Sequence, residues 1–148
     1  MALVGNMIAS AFSGNPATVN YAMFVSAFGL LSLLYLVPAS WNPDWAIHPI
    51  ILIALDALNT IFFFTAAVAL AAKLGAHSCN NSTYTTTNEI TNGAHNTHKR
   101  CREAQASTAF LWFAWAGFTA SLILSIFASR STGVNLRGGR RRPNMAQV

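Results

Sequence analysis

An all-α, multi-pass transmembrane bundle is the fold class this sequence predicts, on three observations. Of its 148 residues, 53% are hydrophobic and 9% charged, whereas soluble domains carry about 25% charged residues. The apolar residues gather into runs long enough to cross a bilayer, whose hydrocarbon core takes about 20 helical residues at about 1.5 Å each. Three such runs occur, and too few polar residues remain to cover them as buried helices of a soluble protein.

Residues 1–18, MALVGNMIASAFSGNPAT, are apolar but short, and Gly14, Asn15 and Pro16 break them from the first span. They suit a segment lying in the membrane interface. No basic n-region precedes a short apolar core, so no cleavable secretory signal is expected. The first span, residues 19–38, carries no charged side chain and ends at a proline, where a helix is expected to stop. The second, residues 50–72, is interrupted only by Asp56 and Asn59 and gives way to Lys73 and Gly75. The third, residues 104–128, is free of charge up to Arg130. Together they define a membrane domain over residues 1–130, with an exterior loop at 73–103 and a basic cytosolic tail at 131–148. Trp41 and Trp45 suit the headgroup level, and His48 beside them reads as interfacial. Small residues four apart, such as Ala22 and Ser26, Ala67 and Ala71, Ala116 and Ala120, and Gly117 and Ser121, let helices approach closely.

Orientation rests on two signals that agree. The tail carries Arg137, Arg140, Arg141 and Arg142 beyond Arg130, with no acid among them, which favours the cytosol and contact with anionic lipid. The middle loop carries Lys73, Lys99, Arg100 and Arg102, so basic counts alone decide little. However, it also holds overlapping N-x-S/T sequons at Asn80 and Asn81, candidate glycosylation sites, and the two cysteines, Cys79 and Cys101. Both features belong to the lumen or cell exterior. Because spans alternate, the tail then faces the cytosol and three spans leave the N-terminus exterior.

Two readings of the cysteines compete. Joined, Cys79 and Cys101 staple the two feet of the loop and remove unfolded-state entropy worth roughly 3 kcal/mol. Alternatively His77, Cys79, His95, His98 and Cys101 supply imidazole and thiolate ligands of the kind zinc takes. An oxidising compartment favours the disulfide, and no metal or other cofactor is expected.

Asp56 is the most informative intramembrane residue. An aspartate at the bilayer centre costs about 3 kcal/mol on insertion scales, and this one lies roughly 9 Å inside the cytosolic end of its span. It is therefore expected to face protein or water. Asn59 comes three residues later on the same face, so the two together suit hydrogen bonding to a neighbouring helix or partner chain. The alternative is a proton or ion relay in a small transporter or channel. A pathway needs several intramembrane polar groups, and the spans hold one such cluster.

An enzyme is hard to assemble from the other residues. The only acids are Asp44, Asp56, Glu89 and Glu103, and neither a phosphate-binding glycine loop nor a nucleophile motif is present. The arginine run reads as a topology signal beside a membrane helix, so no nucleic-acid partner is expected. A membrane organiser, a small transporter and an adhesion module built on the loop are the function classes left.

The stretches NPATVNYAMFVSAFGLL, IALDALNTIFFFTAAVAL, AHSCNNSTY with NEITNG, and KRCREAQASTAFLWFAWAGF resemble the fungal non-classical export protein family, which carries the MARVEL membrane domain. The resemblance runs from about Leu3 to Val148, and its most specific parts are the SCNNS and CREAQA blocks at the loop feet. It implies a four-helix membrane bundle with both ends in the cytosol. It also implies a non-enzymatic role in organising lateral plasma-membrane domains of the eisosome type, a response to sphingolipids, and a link to unconventional export. The expected partners are membrane lipids, further copies of the chain and membrane-domain scaffold proteins, with secretory vesicles or endoplasmic reticulum as additional locations. Cys79 and Cys101 match the family's paired cysteines, and Asp56 and Asn59 match its polar pair. The chain departs from the pattern at its start, where the family's first transmembrane helix has no counterpart.

Overall fold

The computed structural model describes residues 1–12, 14–41 and 49–131. Its elements are α1 (Ala2–Ala9), α2 (Ala17–Trp41), α3 (Pro49–Leu74), α4 (Ser82–Thr87) and α5 (Thr97–Ser131). Three of them, α2, α3 and α5, are long and apolar enough to cross a membrane. The chain is thus an all-helical, multi-pass membrane protein whose long helices run up, down and up. One end of the bundle carries the 73–103 loop, and Asp56 lies toward the other.

α3 is the central helix. Its buried residues, Asp56, Asn59, Phe63, Ala66, Ala67, Leu70 and Leu74, recur at spacings of three and four, which places them along one face. On α2 the matching stripe is Val19, Ala22, Val25, Ser26, Gly29 and Ser32. On α5 it is Cys101, Ala104, Ser107, Leu111 and Phe118. Small residues dominate at the closest approach. A Cβ built on Gly29 would stand 2.7 Å from the ring of Phe63, so only glycine lets α2 come this near α3. Phe63 in turn stacks on Phe118 of α5 at 5.3 Å, which ties the three helices through one aromatic column. Away from these stripes the surfaces are apolar too, with Leu34, Phe113 and Leu124 each about 70% exposed or more. Side chains of this kind belong in lipid.

α2 and α5 both pack on α3, but no Cα of α2 comes within 8 Å of one in α5 among the described residues. The spans therefore form an open arc. α1 closes one end of it. Val4 and Met7 are buried, and the helix touches both α2 and α5. Its first residues reach down beside Ser26, Gly29, Ser107 and Leu111. This corrects the expectation that residues 1–18 lie flat in the interface. Three apolar helices arranged as an arc offer α1 a groove in which Val4 and Met7 gain close packing against α2 and α5.

Two helix boundaries also differ from expectation. α2 continues through Pro38 to Trp41. So close to the helix end, the missing proline N–H forgoes one backbone bond, and the Ser40 hydroxyl donates to Val37 O at 2.7 Å. α5 begins at Thr97, inside the stretch assigned to the loop, with Asn96 Oδ1 accepting from the Lys99 N–H at 2.9 Å as a cap. The stop of α3 is as read: Gly75 comes after Leu74 at a φ of +62°, a conformation that suits glycine, and its N–H bonds Ala71 O. Trp41 is 82% exposed at the end of α2. Trp45, His48 and the tail arginines Arg137, Arg140, Arg141 and Arg142 lie outside the described residues.

Candidate functional site

The 73–103 loop is built, not merely polar. Cys79 and Cys101 form a disulfide with Cα atoms 5.7 Å apart, joining the start of the loop to the first turns of α5. Asn81 caps α4 by accepting from the Tyr84 N–H at 3.3 Å. Tyr84 donates its hydroxyl to Leu74 O at the end of α3, and burial pushes its phenol above the usual tyrosine range. The Asn88 amide donates to Lys73 O at 2.9 Å, and the Lys73 ammonium meets Glu89 at 2.7 Å. Ile90 and Thr91 are fully buried.

Arg100 is the centre of this cap. It is 1% exposed, its Nε donates to Ile90 O at 2.8 Å, and its Nη2 donates to Asn15 Oδ1 at 3.0 Å. A guanidinium in this position ties loop, N-terminal segment and α5 together. The Phe12 N–H bonds Gly93 O at 3.0 Å, and Asn6 of α1 donates to Glu103 of α5. Sequence reasoning counted Arg100 only as a loop charge. The one signal for it was its place within the KRCRE block at the foot of the loop.

The candidate zinc ligands are dispersed. The cysteines are bonded to each other, His98 Nε2 donates to Asn80 Oδ1 at 2.9 Å, His77 packs on Tyr84 and His95 on Phe12. Among the described residues no three metal-ligating side chains converge. Asn80 and Asn81, the sequon residues, are both exposed.

The intramembrane site lies near the other end. Asp56 is 1% exposed, and its Oδ2 accepts from Ser121 Oγ at 2.9 Å and from Ser125 Oγ at 3.5 Å. Ser121 and Ser125 sit one turn apart on α5, which is why both reach one carboxyl group. Asn59 does something different. Its amide donates to Leu55 O of its own helix at 2.9 Å, so the anticipated interhelical bond is made by Asp56 and not by Asn59. The Oδ1 atoms of Asp56 and Asn59 have no hydrogen-bond partner, and neither has the Ser107 hydroxyl. The sequence pointed to Asp56 but not to its donors, since Ser121 was legible only as a small residue spaced from Gly117.

Between α2 and α5 the open side of the arc forms a cleft in two parts. One, about 390 Å³, runs from Met1 past Ser26, Gly29 and Ser107 to Phe118. The other, about 370 Å³, runs from Leu33 and Ala114 to Asp56 and Ser121. Leu33, Ala114 and Phe118 line both, so the two parts adjoin. The walls are apolar except at the Asp56 end and at Ser26 and Ser107.

Comparison with known proteins gives a consistent picture. The pattern of the MARVEL family, described as a membrane-associating domain, matches residues 1–124. The chain is 46% identical over 134 residues to non-classical export protein 2 of Saccharomyces cerevisiae, covering 88% of this chain and 75% of that protein. It is 40% identical over 143 residues to non-classical export protein 102 of Candida albicans, covering 97% and 82% respectively. A second Saccharomyces cerevisiae protein, non-classical export protein 2 homolog 1, is 34% identical over 142 residues, covering 88% and 79%. No solved structure matches the chain.

Proposed function

Because this chain belongs to the non-classical export protein family and carries its MARVEL membrane-associating domain, we propose that it is a non-enzymatic organiser of lateral plasma-membrane domains of the eisosome type. In this reading it responds to sphingolipids and contributes to unconventional export, the process its relatives are named for. Its partners are membrane lipids, further copies of itself and scaffold proteins of the same domains.

One observation carries the reading: α1 bridges α2 and α5 at one end of the arc, and beyond it these two spans pack on α3 without close backbone approach to each other among the described residues. In this reading the part of α2 and α5 beyond α1 adjusts its separation to the surrounding lipid. Mismatch between helix and bilayer costs fractions of a kcal/mol per Å, enough to bias packing between nearly balanced arrangements. The disulfide-bonded loop supports an exterior position for residues 73–103, because such bonds persist in oxidising compartments. The tail is then cytosolic, where each arginine adds about 1 kcal/mol of attraction to an anionic leaflet.

The test is imaging of the tagged protein in fungal cells before and after sphingolipid depletion, beside a variant with Arg130, Arg137, Arg140, Arg141 and Arg142 all changed to Gln. Patches that disperse on depletion, and are retained less well by the variant, are the expected result. A uniform distribution unaffected by either change, in cells where the protein reaches the surface, removes the basis for this reading.

A further inference from the structure

We propose that Asn92 is a site of spontaneous deamidation, converted through a cyclic imide with the Gly93 nitrogen into isoaspartate and aspartate, and that this change releases the N-terminal segment from the loop. The site stands apart from the lipid-responsive reading above. Asn80 Oδ1 accepts from His98, Asn81 Oδ1 from the Tyr84 N–H and Asn96 Oδ1 from the Lys99 N–H, while Asn88 donates to Lys73 O and accepts from the Ile90 N–H. Asn92 differs from all of these. Its side chain is exposed and makes no hydrogen bond among the described residues.

The residue that follows supplies the nucleophile. Gly93 turns the chain at a φ of +92°, a conformation glycine takes without strain, and it has no side chain to hinder the approach of its nitrogen to the Asn92 amide. That nitrogen is unspent. No described residue accepts from the Gly93 N–H, whereas the Asn92 N–H before it is held by Asn88 O at 2.8 Å. The other loop asparagines precede Asn81, Ser82, Glu89 and Thr97, whose side chains crowd the same approach.

The Gly93 nitrogen, its proton lost to hydroxide, attacks Asn92 Cγ; the N–Cγ bond forms, the Cγ–Nδ2 bond breaks, and the departing nitrogen takes up protons from water. Water then adds to one of the two imide carbonyls. Opening at Cγ gives aspartate, and opening at the main-chain carbonyl gives isoaspartate, whose backbone runs through Cγ and is one carbon longer. In sum one amide and one water become one carboxylate and one ammonium ion, with no change of oxidation state. The extra carbon falls just ahead of Gly93. It displaces the Gly93 carbonyl, which accepts from the Phe12 N–H at 3.0 Å, and Ala94, which pairs with Ala11. Those contacts hold the chain that follows α1 to the loop, whereas Ile90 O, the acceptor for Arg100, lies before the inserted carbon.

The test incubates the full chain in phosphatidylcholine nanodiscs at neutral and at mildly alkaline pH, beside a free peptide spanning residues 88–97. Each asparagine is followed by mass spectrometry after proteolysis, with isoaspartate told from aspartate by its backbone fragments. Asn92 is expected to convert first, at least about tenfold faster than the loop's other asparagines, each of which must first give up a hydrogen bond. Conversion should be faster at the higher pH, with isoaspartate in excess. Amide exchange at Phe12 is expected to quicken in the aged protein. It should stay slow in aged Asn92→Gln, whose longer side chain closes an imide ring poorly and whose exposed, untied position leaves the fold as it was. Conversion that begins at another asparagine overturns the proposal, as does an intact Asn92 once the free peptide has converted. Phe12 exchange that is unchanged after Asn92 has converted, or that quickens equally in Asn92→Gln, overturns the release of the N-terminal segment.

Discussion

Ser121 of α5 donates to Asp56 Oδ2 of α3 over 2.9 Å, a polar hydrogen bond between two apolar helices. It is the polar counterpart of the Phe63–Phe118 stack, which joins the same helices at 5.3 Å nearer the middle of the spans. Asp56→Asn retains an acceptor for Ser121, so thermal unfolding of the purified protein in detergent should change by about 1 kcal/mol or less. Asp56→Leu removes it, and a loss of about 1 to 3 kcal/mol is expected. Proton conduction by reconstituted protein that Asp56→Asn alone abolishes would replace this structural role with a transport one.

Gly29 and Phe63 set the distance between α2 and α3. A methyl group at residue 29 meets the Phe63 ring at 2.7 Å, and the ring is held from behind by Phe118. Gly29→Ala should therefore destabilise the bundle by about 1 to 3 kcal/mol. Gly117→Ala, where nothing lies within 4 Å, should leave the unfolding temperature unchanged or slightly raised. Equal effects from the two substitutions would contradict the close approach.

The Cys79–Cys101 bond closes a sequence separation of 22 residues. Unfolding with and without reductant should differ by roughly 3 kcal/mol. On intact cells, an impermeant thiol reagent should label single cysteines introduced into the loop and spare those introduced into the tail, in a background lacking the native pair. Labelling of the tail alone would reverse the orientation.

Arg100 holds Ile90 O and Asn15 Oδ1 with two different nitrogens. Lysine's three N–H donors radiate from a single nitrogen and do not reproduce the planar, spaced fork, so Arg100→Lys should restore the pair poorly, and Arg100→Leu restores neither. Hydrogen exchange across residues 89–96 should quicken in both variants, more in Arg100→Leu. Unchanged protection would mean that the disulfide and the other hydrogen bonds hold the loop without Arg100.

The three long helices were legible because uninterrupted apolar runs have few other destinations than a bilayer. Asp56 stood out for the same reason, as a charge where none is tolerated without a partner. Which partner it has depends on how α5 is rotated about its axis, and a helix apolar on every side carries little periodic signal to say so. Ser121 was thus visible only as a small residue. α1 was missed as a packed element because its eight residues are too few to read as a span, and its burial comes from a groove built partly by α5, far along the chain. Arg100 was hidden for a related reason: its acceptors, Ile90 O and Asn15 Oδ1, are brought to it by the loop fold.

Lipid response through this fold requires that α2 and α5 be free to change their separation. Spin labels on Leu34→Cys and Leu124→Cys, both outward-facing positions more than two-thirds exposed, would report that separation in nanodiscs prepared with and without sphingolipid, the native disulfide left intact. A distance distribution that shifts between the two bilayers is the predicted result. One narrow distribution, identical in both, would contradict it.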